Sequence, residues 1–159
     1  MSDPSPLIYP EWLGRCLLEN QLPWHLGRSQ SLDQFQKKYT LEKSLWIGAF
    51  SDWAYGRSMT LVFNWEPYRP NPEHERSRTL ESSEPWLFLL LQVNGVAQAS
   101  TRGYEALLTG VMLQRSIAQI TQIENVLIIE DFYGAIVQMT FCEDLVFLAL
   151  DAGQNAIAL

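Results

Sequence analysis

Apolar positions along this chain change period several times, and each change predicts an element. Trp12, Leu13, Cys16 and Leu17 recur at helical spacing just behind Pro10, a residue favoured in the first turn of a helix, which predicts a first helix that ends at Asn20 or Gln21. The ten residues up to Pro10, with Pro4 and Pro6 among them, are expected to form an irregular leader. Pro23-Trp24-His25-Leu26-Gly27 reads as a turn, and Ser31 is placed to cap a second short helix with Leu32, Phe35 and Tyr39 along one side. From Ser44 the period falls to two. Residues 45–50 and 58–65 are predicted as an antiparallel hairpin, the second strand setting Met59, Leu61, Phe63 and Trp65 against Ser58, Thr60, Val62 and Asn64 as a half-buried strand does. The segment 86–93, apolar without a break over 86–91 and stopping at Asn94-Gly95, predicts a strand buried on both faces.

Residues 66–85 enclose a mixed-charge block between Pro67, Pro70, Pro72 and Pro85, and predict a long, charged, solvated loop. A long helix is expected over 102–122, with Tyr104, Leu107, Leu108, Val111, Met112 and Arg115 on one broad face and Ser100-Thr101 as its cap. Three short strands are then predicted over 126–129, 135–141 and 145–150, with acidic turns between them, followed by a small-residue tail over 152–159. This order of elements predicts a single α+β domain over 1–159. Its sheet would be mainly antiparallel and twisted, of about six strands, with the long helix packed on one face and short helices at the N-terminus.

Composition changes that picture in two ways. A chain of 159 residues that is 47% hydrophobic can bury a core without disulfides or metals. Its charged fraction of 18% is low while aromatics reach 12%, which fits either one large core or a surface patch covered by a partner. Charge is also unevenly placed: after Arg115 no Lys or Arg occurs, and the last 44 residues hold Glu124, Glu130, Asp131, Glu143, Asp144 and Asp151, against a net charge of −7 for the whole chain. Without a basic stripe, nucleic acid is not expected as a partner. The longest apolar runs, 86–91 and 145–150, are six residues each, far short of the roughly 20 that span a bilayer as a helix. No charged-then-apolar secretory start is visible, so a cytoplasmic location is expected. Cys16 and Cys142 are expected to act as separate buried small hydrophobes rather than as a disulfide.

Candidate chemistry is sparse. His25 and His74 are the only imidazoles, and the Glu73-His74-Glu75 triplet reads as a solvated charge cluster, because neighbours in an extended loop point in opposite directions. Glu130-Asp131 and Glu143-Asp144 are adjacent pairs in turns, without the spacing of a calcium loop. Gly95, Gly103 and Gly110 make no phosphate-binding pattern. No catalytic, cofactor or metal-binding residue is therefore expected. The aromatic set Trp46, Trp53, Tyr55, Trp65 and Tyr68 divides by position: Trp46 and Trp65 on strands as core, Trp53, Tyr55 and Tyr68 in loops as partner contacts.

The sequence thus points to a non-enzymatic protein-binding module of the assembly-factor, adaptor or chaperone-like kind. Its partner contacts would be Trp53, Tyr55, Tyr68, Glu130, Asp131, Glu143 and Asp144, its partner another protein with a basic surface, and a homodimer through an exposed edge is a further option. The alternative is a small-ligand-binding protein or enzyme with a pocket between sheet and long helix, where Arg57, Arg69 or Arg102 would anchor an anion. In size, acidity and alternating order of elements the chain is similar to small acidic chaperone-like proteins, such as those that escort secretion substrates. That resemblance covers the whole chain at the level of fold, rests on no motif, and assigns no residue role.

Overall fold

The structure, a computed structural model, describes residues 10–19, 21–42, 44–52, 57–65, 87–102, 115–132 and 134–159. Two short helices come first, α1 (Glu11–Leu18) and α2 (Leu32–Gln36), separated by a single 3-10 turn (Trp24–Leu26) and the two-residue strand β1 (Arg28–Ser29). Strands β2 (Leu45–Asp52), β3 (Ser58–Trp65), β4 (Leu87–Val93) and β5 (Val96–Arg102) follow. The chain continues through β6 (Arg115–Ile123), β7 (Val126–Asp131), β8 (Ile136–Phe141), β9 (Leu145–Leu150) and β10 (Ala156–Ile157). The described residues are mostly strand and contain no long helix, which corrects the α+β expectation. The predicted long helix fails where it can be followed: Arg102 closes β5, and the stretch from Arg115 to Gln122 lies in β6.

All pairings are antiparallel, and their path runs β1-β9-β4-β3-β2-β6-β7-β8-β5, with β10 also on β9. Because β8 runs into β9, and β4 into β5, that path returns on itself and rolls the sheet into two facing layers. The two crossings lie side by side at one corner, where Asn94 N donates to Asp144 O at 3.0 Å and Cys142 N to Gly95 O at 2.8 Å. Asn94-Gly95 is therefore not a hairpin turn but a bend from one layer into the other. Gly95 has φ +71, and a Cβ there would stand 2.8 Å from both the Cys142 Sγ and a Glu143 carboxylate oxygen. Only glycine meets both conditions without strain. Both cysteines are free thiols, as expected, but neither is fully buried: Cys16 is partly buried on α1 and Cys142 is exposed at this corner.

Between the layers lies the main core. Phe35 stacks on Phe147 at 4.4 Å between centroids, Tyr39 meets Trp65 edge-on at 5.3 Å, and Trp46 lies over Phe63 at 6.2 Å. Trp46 and Trp65 are core residues, as their strand positions predict, and each indole N–H is used: Trp46 donates to Gly48 O, Trp65 to Thr40 O. Helix α2 is held by a capping box between Ser31 and Gln34 and lies beside the part of β6 that runs past the start of β2. Gln36 Nε2 donates to Ile120 O at 3.3 Å and Leu32 N donates to Gln122 Oε1 at 2.8 Å, so the helix covers backbone that β2 no longer reaches.

A second apolar cluster lies outside the roll. Ile47, Val62, Phe88, Leu90, Leu148 and Leu150 project from the outer face of β2, β3, β4 and β9 and meet Leu13, Trp12 and Leu17 of α1. Trp12 stands edge-on to Phe88 at 5.9 Å. This roof explains why β3 is buried on both faces, where its alternation predicts burial on one: Thr60, Val62 and Asn64 are buried too.

Candidate protein-binding face

The opposite layer has no such roof among the described residues. Register places its outward side chains in three rows across β6, β7, β8 and β5. The first row is Gln119, Glu130, Ile136 and Arg102; the second Thr121, Ile128, Gln138 and Ser100; the third Ile123, Val126, Thr140 and Gln98. All twelve are partly or fully exposed, while their neighbours Ile120, Leu127, Ile129, Val137 and Met139 are buried in the core. Adjacent strands lie about 4.8 Å apart, so the face is continuous and its side chains are held by a paired backbone. It carries two charges in twelve positions, with β-branched and amide side chains on nine of the remaining ten. Ile123 and Phe132, each 59% exposed, stand at the two ends of β7, in or beside its two turns.

The sequence missed this face because β5 and β6 were not read as strands. In both, a bulge interrupts alternation: register shifts between Ile117 and Gln119 in β6, and between Val96 and Gln98 in β5. Inward residues then recur at i and i+3, Ile117 with Ile120 and Val96 with Ala99, which is helical spacing. The usable signal was side-chain type: Ile117, Ile120, Thr121 and Ile123 are β-branched. Ser100 and Thr101, expected as a helix cap, lie within β5.

The predicted acidic contacts separate. Asp131 is 2% exposed, and its Oδ1 accepts from Ala135 N at 2.9 Å to close the turn from β7 to β8, so this carboxylate is not part of the surface. Asp144 accepts from Asn94 Nδ2 and from Ser29 Oγ, each at 3.0 Å, and ties β1 to the corner. Asp151 likewise accepts from Gly153 N and Asn155 N at 2.8 and 2.9 Å. Asp131 and Asp151 thus close local turns, while Asp144 braces the corner. Glu143 is exposed beside Asp144, whereas Glu130 stands on the sheet face, so the two acidic pairs do not form one surface. Trp53, Tyr55, Tyr68, His74 and Arg69, and the loop predicted over 66–85 apart from its flanking strands, lie outside the described residues.

His25 is exposed in the 3-10 turn. Arg57 is exposed near the corner, and Arg102 projects from the outer face of β5; the long helix expected to wall a pocket beside them does not occur among the described residues. No group of three His, Cys, Asp or Glu that could hold a metal ion occurs among the described residues. No helix among them is long and apolar enough to cross a membrane. No family model, curated protein or solved structure matches this chain.

Proposed function

We propose that this chain is a protein-binding module, of the assembly-factor or adaptor kind, whose contact surface is the outer face of β6, β7, β8 and β5. The observation that carries the reading is the contrast in charge and rigidity: twelve in-register positions on a paired sheet, two of them charged, in a chain of net charge −7. Interface centres are depleted in charge, and a sheet presents its side chains with little further ordering on binding. Trp53, Tyr55 and Tyr68 are kept as candidate anchors on a partner, to be tested by substitution. Glu130 and Glu143, together with the absence of Lys and Arg after Arg115, favour a partner with a basic rim through long-range steering. A cytoplasmic setting belongs to the same proposal.

The test is affinity capture from the source cell with wild type, Ile128→Lys and Arg15→Ala, quantifying each retained protein. The reading expects one protein near stoichiometric amount with wild type and Arg15→Ala, and its loss with folded Ile128→Lys. Equal retention by all three would remove the face from the account.

A further inference from the structure

We infer that the outer face of β7, β8 and β5 pairs with the same face of a second copy, about a two-fold axis parallel to β8; this rests on reading that face as a protein contact. The charge geometry of the face selects that occupant. Glu130 on β7 and Arg102 on β5 are both in register with Ile136 on β8, so opposite charges lie in one row at equal distances on either side of β8. Rotation by a half-turn about β8 sets Arg102 of each copy opposite Glu130 of the other, giving two symmetric ion pairs. On the axis itself stand Ile136, Gln138 and Thr140, whose side chains all lie outward beside buried Val137, Met139 and Phe141.

Each of these three can meet its twin without a penalty. Ile against Ile is apolar contact, a Gln amide both donates and accepts, and so does a Thr hydroxyl. Sheets packed face to face lie about 10 Å apart with strands within about 30° of alignment, which this axis permits. Since the face holds one acid and one base, the −7 of the chain does not concentrate there. This axis sets β7, β8 and β5 against their equivalents and leaves β6 beyond the overlap, so nine positions a side meet, fewer than the roughly 20 of a standard interface, and the dimer is expected to be concentration-dependent.

Sedimentation equilibrium over a concentration series tests this with purified full-length chain. Wild type is expected to show a monomer–dimer equilibrium. Arg102→Glu leaves two acids facing two acids, and Glu130→Arg two bases facing two bases, so each alone is expected to raise the dissociation constant at least about tenfold. An equimolar mixture of the two variants restores both ion pairs and is expected to form the heterodimer, which also proves both variants folded. The double variant Arg102→Glu/Glu130→Arg is expected to dimerise as wild type does. A wild type monomeric throughout the series would overturn the second copy as occupant while leaving the face itself to the Ile128→Lys capture. A dimer insensitive to both reversals, or a mixture that stays monomeric, would overturn this placement.

Discussion

The two layers of the rolled sheet share one core, yet their outer faces are opposites. On β2, β3, β4 and β9 the outward residues include Ile47, Val62, Leu90 and Leu148, all buried under α1. On β6, β7, β8 and β5 the outward residues are Gln, Thr, Ser, Ile and Val with one Glu and one Arg, and all retain exposure. The first face spends its side chains on holding a short helix, which could not persist alone at eight residues. The second contributes little to the fold beyond its backbone pairing. Stability and recognition are therefore assigned to different sides of the same sheet, and this difference can be tested by substitution.

The largest effect is expected where the roof is violated. Val62→Asp places a carboxylate beneath α1 with no cation among the surrounding cluster, and should cost about 4 kcal/mol or more in denaturant unfolding. Leu13→Ala, which leaves a cavity between α1 and the sheet, should cost about 2–5 kcal/mol. At the corner, Gly95→Ala must hold alanine at φ +71 and displace the Cys142 and Glu143 side chains, for a loss of about 1–3 kcal/mol. Asp131→Ala removes the acceptor of the Ala135 N–H, and the same assay should read about 1–3 kcal/mol. Arg15→Ala, which breaks only an exposed pair with Glu11 at 3.2 Å, should leave the unfolding midpoint where it is. If Val62→Asp proved no worse than Arg15→Ala, α1 would not be a roof in solution.

The two faces were also unequally legible in the sequence. The strands of the roofed layer announce themselves by apolar runs, and β4 was readable as doubly buried because no polar residue interrupts residues 86–91. β3 was readable as a strand but not as doubly buried, since Thr60 and Asn64 mimic a solvent face until α1 is in place. Of the short C-terminal strands, β7 and β8 keep an alternating burial and β9 is an apolar run, and all three were found. β5 and β6 lost theirs to bulges, and with them went the open face, because a surface made of rows across strands exists only once register is known. The burial of Asp131 was hidden for a similar reason: an acid at a strand end is equally common as a solvated turn residue and as a turn-closing acceptor.

If the open face serves contact and not folding, one variant read in two ways will show it. Ile128→Lys sets a cation in the middle row of that face, on a strand whose neighbours Leu127 and Ile129 are untouched in the core. Chemical denaturation should give a stability within about 1 kcal/mol of wild type, while sedimentation of the same sample shows the assembled species lost. Loss of several kcal/mol of stability with assembly unchanged would contradict the claim, because it would show that this face supports the chain's own fold.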